Sequence, residues 1–237
     1  VAMAIVTLLS TIPVLQSRGL QPDQNSKEVS GGILVFLKQP MILRILLMIA
    51  AFRMIEGFIR SLLPAMFKDW GMSLAEIGLL LGVFAPVSLV AGALTAGLLV
   101  NRIGRLRALL WFGGLQAFSA GGYLLLASQD GPISLSSALP AVLVDHFVSG
   151  MTTVALFSLM MDWSRRKHGG TDYTCMDCIG VFAMMLGTTV SYLLAAYGNY
   201  WLAFATAIPL VVLLLFVVQH LYSKILQHPH WQKLQPE

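Results

Sequence analysis

The chain contains six apolar runs, each long enough to cross a lipid bilayer as a helix. They lie at about 41–63, 73–100, 106–128, 137–161, 172–197 and 200–222. An α-helix needs about 20 apolar residues to cross a hydrocarbon core about 30 Å thick. Only 11% of the 237 residues are charged, against roughly 25% in soluble domains, so water is a poor solvent for this chain. The sequence therefore predicts an all-α membrane protein with a six-transmembrane-helix bundle.

The segments outside these runs predict how the chain is organised. Residues 1–15 are apolar but too short to span a membrane alone, so we interpret them as the end of a preceding transmembrane helix. Residues 16–40 begin with the most polar stretch of the chain, and we expect them to form a cytoplasmic central loop. The bundle is then expected to occupy 41–222, followed by a cytoplasmic tail at 223–237. On this interpretation the chain is a piece of a longer protein, whereas a genuine start near its first residue would make it a natural half-length protein.

Basic residues are concentrated in alternate connections, and their positions predict the orientation of the bundle. Lys and Arg accumulate in the cytoplasmic loops of membrane proteins. Nearly all of the loop cations lie in the opening loop, the 101–107 turn, the 162–170 turn and the tail, and the opposite turns contain only Lys68. Both ends of the bundle are therefore predicted to be cytoplasmic. Because these cations form no extended basic face, we expect no nucleic-acid partner.

Ionisable side chains inside three of the spans mark a candidate functional site, since intramembrane charge is costly and normally faces a cavity or a partner. The candidates for substrate binding or ion coupling are Arg53, Glu56, Arg60, Asp145, Ser149, Thr152 and Asp177. The first three share one stripe of the first span at i, i+3 and i+7, and the next three share a stripe of the fourth span at i, i+4 and i+7. We expect the first, fourth and fifth helices to line a cavity. The third and sixth have no charge in their interiors, and we expect them to be lipid-facing supports.

Several of these charges also have a purely structural interpretation. Arg53 and Glu56 lie one turn apart and can neutralise each other without any substrate. Asp145 can be a buried carboxylate bonded to a neighbouring helix, with Arg53 or Arg60 as its partner. If transport is coupled to protons, then Glu56, Asp145 and Asp177 are the carboxylates placed to carry one.

The turn between the second and third spans resembles the signature loop of the major facilitator superfamily. The residues in question are Gly97, Asn101, Arg102, Gly104 and Arg105, with Asn101 standing where that family usually has Asp. A generic glycine hairpin is the alternative interpretation, but the match falls between the two helices where the family has its loop. The resemblance implies that the six helices are the C-terminal half of a twelve-helix transporter, which works by alternating access together with an N-terminal half that this chain lacks.

A second motif opens the fifth span and consists of Thr171, Asp172, Tyr173 and Thr174. It is similar to the start of the eleventh helix in a branch of the superfamily that contains muropeptide permeases, acetyl-CoA transporters and siderophore permeases of the rhizobactin and pyochelin type. The match favours the siderophore permeases, so the resemblance implies proton-coupled uptake of a ferric siderophore across the bacterial inner membrane. An acid in the first turn of a helix is, however, favoured by the helix dipole without any substrate.

Two other functions stay open. A muropeptide-type permease has the same fold, and a non-transporting assembly or regulatory subunit is an alternative because half a transporter cannot enclose a path between two halves. We find no catalytic constellation and no cofactor motif, and therefore expect neither an enzyme, a cofactor nor a resident metal. The expected partners are the bilayer, the N-terminal half, a small polar solute and a proton.

Overall fold

A computed structural model of the protein describes residues 32–129, 131–165 and 168–226, and all regular elements within these ranges are helices. The helices are α1 (Gly32–Leu37), α2 (Ile42–Arg60), α3 (Leu63–Asp69), α4 (Leu74–Ile103), α5 (Arg105–Ala127), α6 (Leu135–Trp163), α7 (Gly169–Tyr197) and α8 (Tyr200–Leu226). The predicted all-α half-bundle is confirmed, with α2 and α4 to α8 as its six long helices. The predicted segment 1–15, most of 16–40 and most of 223–237 lie outside the described residues, and α1 forms within the predicted loop.

Five of the long helices, α4 to α8, are long and apolar enough to cross a membrane. The remaining helix, α2, contains four charged residues, namely Arg44, Arg53, Glu56 and Arg60. Eleven of its 19 residues are nevertheless buried, and it packs lengthwise against α7 and against α8. The neighbouring helices therefore shield much of α2 from lipid, which is how a bundle accommodates charge inside a membrane.

Two glycines bring α2 and α7 into backbone contact. A Cβ atom built on Gly57 would lie 2.1 Å from the carbonyl oxygen of Met184. In the reciprocal contact, a Cβ on Gly187 would lie 2.1 Å from the carbonyl oxygen of Met54. Small residues allow membrane helices to approach until their backbones touch. Only glycine fits at these two positions of the α2–α7 crossing.

A second crossing, between α4 and α6, is built in the same way. A Cβ on Gly92 would lie 1.9 Å from the carbonyl oxygen of Phe147, and one on Gly150 would lie 2.0 Å from that of Leu89. Ser88 donates a hydrogen bond of 2.6 Å to the carbonyl oxygen of Leu143 at the same crossing. The bundle thus contains two helix pairs, α2–α7 and α4–α6, and in each pair two glycines allow the backbones to touch.

The second span is irregular near its start. It begins with a capping box, in which the Ser73 hydroxyl accepts the backbone N–H of Glu76 and the Glu76 carboxylate accepts that of Ser73. A π-helical turn, Leu80–Phe84, interrupts α4 just before Pro86. Proline has no N–H to continue the helical hydrogen bonding and its ring crowds the preceding turn, which explains an irregular turn at this position.

The chain also breaks between α2 and α3, next to the candidate site. Pro64 lies in the first turn of α3, and the last carbonyl groups of α2 receive hydrogen bonds from α7. The Ser191 hydroxyl donates to the carbonyl oxygen of Phe58 at 2.6 Å, and the Tyr192 hydroxyl donates to that of Ser61 at 2.8 Å. These bonds satisfy backbone acceptors that a helix end leaves without intrahelical partners. The end of α2 is therefore held by α7.

Candidate functional site

Five charged side chains from three helices form one connected network: Arg53, Glu56 and Arg60 of α2, Asp145 of α6 and Asp177 of α7. The Glu56 carboxylate bridges the two arginines, at 3.0 Å from Arg53 Nη1 and 2.9 Å from Arg60 Nη1. Arg53 Nη2 donates to Asp177 Oδ1 at 2.9 Å. Arg60 Nε donates to Asp145 Oδ2 at 3.3 Å. The charges predicted on separate spans thus come together.

Asp145 is fully buried, and its carboxylate is surrounded by donors. Besides Arg60, the Ser119 hydroxyl lies 2.9 Å from Oδ1 and the Tyr123 hydroxyl donates to Oδ2 at 3.2 Å. His146 Nδ1 is 3.8 Å away from Oδ2. A buried carboxylate with three hydrogen-bond partners is well satisfied, and it ties α6 to α2 and α5.

The contribution of α5 corrects one expectation from the sequence. The third span was expected to be a lipid-facing support because its interior lacks charge, yet it places Ser119 and Tyr123 on Asp145. Both side chains are polar but uncharged, so a search for ionisable residues misses them. Gln116, Ser119 and Tyr123 recur at i, i+3 and i+7 and are all buried, and this polar stripe is the signal that identifies them.

Arg53 occupies a different environment from Arg60. Its guanidinium lies 5.2 Å from the centre of the Phe157 ring, within the range of a cation–π contact. Phe157 in turn packs edge-on against Tyr173 of the helix-start motif, with ring centres 5.9 Å apart. Asp177, the carboxylate partner of Arg53 on α7, has 39% of its side chain exposed, compared with none for Asp145. The network therefore has a buried end at Asp145 and an open end at Asp177.

A small polar cavity adjoins the network, and Ser149 and Thr152 line it together with Gln116, Arg53 and Glu56. These two hydroxyl residues, predicted as site residues, make no ion contact; Thr152 donates to the carbonyl oxygen of Val148 in its own helix. The cavity volume is about 10 Å³. That is room for about one water molecule.

The signature loop forms the tight turn between α4 and α5. Gly104 has φ +88°, a conformation that residues with a side chain rarely adopt, and α5 begins at the next residue. Arg105 forms an ion pair with Asp162 near the end of α6, a partner that the sequence did not identify. Asn101 and Arg102 are exposed at the end of α4, and Gly97 faces open space. The loop thus joins the α4–α5 turn to α6, away from the charge network.

The helix-start motif closes the turn between α6 and α7. Asp172 is fully buried and accepts hydrogen bonds of 2.7 Å from both Nε and Nη2 of Arg165 and one of 3.0 Å from its backbone N–H. These hydrogen bonds raise the pKa of the Arg165 guanidinium. Thr174 donates to the carbonyl oxygen of Gly170, and Thr171 is exposed. The geometry matches a structural role for Asp172, because Arg165 in the adjacent turn donates hydrogen bonds to both of its carboxylate oxygens.

The network has unused donor capacity on its cationic side chains. Arg53 Nε and Arg60 Nη2 are buried, and neither makes a hydrogen bond to another described residue. Buried donors are almost always paired in proteins, with protein groups, water or ligands. A guanidinium is the side chain best suited to bind carboxylates and other oxyanions through parallel hydrogen bonds. The two unpaired N–H groups are therefore chemically suited to acceptor oxygens.

Comparison with known proteins agrees with this geometry. Residues 45–236 match the Major Facilitator Superfamily. The Anhydromuropeptide permeases of Escherichia coli K12 and O157:H7 are each 29% identical over 187 residues, covering 76% of this chain and 38% of those proteins. An uncharacterised protein of Haemophilus influenzae is 25% identical over 181 residues, covering 73% of this chain and 43% of that protein. The chain spans less than half the length of these relatives. Since the family match covers most of the sequence, this chain, an integral multi-pass membrane protein, belongs to the Major Facilitator Superfamily.

Proposed function

We propose that the protein is a secondary transporter that takes up an anionic polar solute of the muropeptide type, coupled to protons. The observation that carries this proposal is the network of two arginines and three carboxylates held between α2, α6 and α7. Intramembrane charges at this density are costly, and they mark substrate or proton pathways in membrane proteins. The bacterial inner membrane is the proposed location.

The solute class follows from the donors in the network and from the relatives. Arg53 and Arg60 each have a buried N–H group without a partner among the described residues, and both groups suit acceptor oxygens. A muropeptide has peptide carboxylates and sugar hydroxyl groups, which supply such oxygens. The similarity to the Anhydromuropeptide permeases supports the same class.

Uptake of a ferric siderophore, which the resemblance of the helix-start motif implied, is the less supported proposal. The motif that favoured it contains Asp172, and that carboxylate is fully engaged by Arg165. Its geometry is explained by the α6–α7 turn and indicates no particular solute. The siderophore therefore enters the experiment below as a competing substrate.

The test measures uptake in cells that express the natural gene, with labelled anhydromuropeptide in one arm and a labelled ferric siderophore in the other. We expect the anhydromuropeptide to accumulate, a protonophore to abolish the accumulation, and Arg53→Gln to reduce it at least tenfold. Lys68→Gln, which changes an exposed basic residue outside the network and outside both motifs, is the matched control and should transport normally. Accumulation of the siderophore alone would replace the substrate proposal, and accumulation of neither would favour the non-transporting subunit.

A further inference from the structure

His146 of α6 lies beside the charge network, and the function proposed above does not use it. Its Nδ1 is 3.0 Å from the carbonyl oxygen of Val142, one turn earlier in the same helix. The same nitrogen is 3.8 Å from Asp145 Oδ2, which is too long for a hydrogen bond. The imidazole is therefore fixed through Nδ1 by the backbone of its own helix.

This hydrogen bond determines which nitrogen of His146 carries the hydrogen. A carbonyl oxygen only accepts hydrogen bonds, so Nδ1 must be the donor toward Val142. In a neutral imidazole the other nitrogen, Nε2, then has no hydrogen and is an acceptor. Nε2 makes no hydrogen bond to a residue in the described parts of the chain, and the side chain is 13% exposed. His146 therefore has one free acceptor.

The side of α6 that carries His146 is the side that faces the network. Thr153 and Phe157 follow His146 at i+7 and i+11, close to two and three helical turns, so the three residues lie along one line of the helix. The Arg53 guanidinium lies over the Phe157 ring, and Thr153 lines the polar cavity together with Arg53. His146 continues this line toward the buried end of the network.

At that end, Arg60 and His146 lie around one carboxylate oxygen. Asp145 Oδ2 accepts a hydrogen bond from Arg60 Nε at 3.3 Å and is 3.8 Å from His146 Nδ1. Arg60 Nη1 donates to Glu56 at 2.9 Å, whereas Arg60 Nη2 is buried without a partner among the described residues. A free donor on a cation and a free acceptor on a neutral ring are thus both anchored at Asp145.

The chemical group that suits this pair is a hydroxyl. Its oxygen accepts a hydrogen bond from Arg60 Nη2 while its O–H donates to His146 Nε2. A carboxylate has only acceptors and would direct a lone pair at that of Nε2. An ammonium group has only donors and would meet the guanidinium as a like charge. An amide has a donor and an acceptor on separate atoms, and the experiment below distinguishes it from a hydroxyl.

We propose that His146 and Arg60 form a binding site for a sugar hydroxyl of the solute, and that this site sets the preference of the transporter for sugar-containing solutes. The inference rests on the function proposed above. The two arginines then bind different parts of the solute: Arg53, at the open end of the network, binds carboxylate oxygens, and Arg60 binds the hydroxyl. A solute without the hydroxyl leaves the donor and the acceptor unpaired, which is the basis on which such sites reject it.

The test compares two labelled solutes in cells that express the whole natural protein. One is anhydromuropeptide, and the other is its deoxy analogue, in which hydrogen replaces the sugar hydroxyl groups and the amides are unchanged. We expect the KM of wild-type uptake to be at least tenfold higher for the analogue. In His146→Phe the two KM values should become equal, because the phenyl ring has no acceptor. His146→Gln, whose amide oxygen is an acceptor, should keep most of the preference.

The control is His220→Phe, which makes the same change at an exposed histidine of α8 and should keep the wild-type preference. The ratio of two KM values within one variant does not depend on the amount of protein in the membrane. If His146→Phe does not reach the membrane, His146→Leu, which also lacks an acceptor, takes its place.

Two results would overturn this inference while leaving the transport function intact. One is an equal KM for both solutes in the wild-type protein, which would mean that an amide or no group of the solute binds at His146. The other is an unchanged preference in His146→Phe. Absence of anhydromuropeptide uptake by the wild-type protein would overturn the proposed function and this inference with it.

Discussion

The two glycine crossings of the bundle use the same packing device for different purposes. In both, a pair of glycines lets two helices touch through their backbones. The α4–α6 crossing is joined by apolar contacts and by one serine hydroxyl, on Ser88. The α2–α7 crossing also places Arg53 against Asp177, and Gly180 of α7 leaves space for the arginine stem. Close packing in one crossing provides a frame, and in the other it also sets the distance between opposite charges.

Asp145 links the two crossings, because it lies on α6 and pairs with Arg60 of α2. Removing one partner of a buried ion pair typically costs about 3–5 kcal/mol. We expect Asp145→Asn to lower the free energy of unfolding by about 3 kcal/mol, the lower end of this range, because Arg60 keeps its ion pair with Glu56. The measurement is membrane abundance and thermal unfolding in detergent, beside uptake.

The same variant tests an alternative role for Asp145. Normal abundance combined with lost accumulation would instead assign proton coupling to this residue. Normal abundance with normal pH-dependent accumulation would contradict both roles and leave Asp145 as a tolerated polar residue.

If the two crossings contribute equally to the stability of the bundle, one added methyl group should destabilise the protein at either of them. We expect Gly57→Ala and Gly92→Ala each to lower the free energy of unfolding by about 1–3 kcal/mol, because the new Cβ meets a backbone oxygen that cannot move away alone. Gly97→Ala is the control, since its Cβ would face open space on α4. Thermal unfolding of the three variants decides the question. A loss in only one of the two would show that the crossings are not equivalent.

A third substitution should separate the functional crossing from the frame. In Gly180→Ala the new Cβ would lie 2.9 Å from Arg53 Cγ, the stem of a flexible side chain that can shift. We expect a change in unfolding free energy of less than about 1 kcal/mol, within the range of ordinary point variants, but a several-fold loss of solute accumulation. Gly78→Ala, with no neighbour near its Cβ, should affect neither. Normal accumulation in Gly180→Ala would mean that the position of Arg53 is not limiting.

The smallest effect is expected at the start of α5, where Arg105 pairs with Asp162 of α6. Both side chains are about 40% exposed, and exposed ion pairs contribute roughly 0.2–1 kcal/mol. Arg105→Gln should therefore leave thermal unfolding almost unchanged, in contrast to Asp145→Asn. A loss as large as that of Asp145→Asn would show that this pair, rather than the buried network, holds α6 in place.

The sequence was sufficient to predict the fold and part of the charge network. Helix length, apolarity and one stripe on α2 placed Arg53, Glu56 and Arg60 together, and the expected partners of Asp145 included Arg60. Ser119 and Tyr123 were missed because uncharged polar residues are common in membrane helices and do not signal burial by themselves. The partner glycines could not be paired either, since small-residue spacing identifies a close surface but not which helix meets it.

The charges of α2 have a consequence for biosynthesis. On the scale measured for the insertion machinery, each Arg or Asp at the centre of a helix opposes membrane entry by roughly 2.5–3.5 kcal/mol. The acids that compensate α2 are synthesised much later, since Arg60 and Asp145 are 85 residues apart and Arg53 and Asp177 are 124 apart. At about 5–20 residues per second, the ribosome needs roughly 4–25 s to produce them. During that delay Glu56 is the only acid on α2 to balance its arginines, and we expect α2 to wait beside the translocon or an insertase until α6 and α7 emerge.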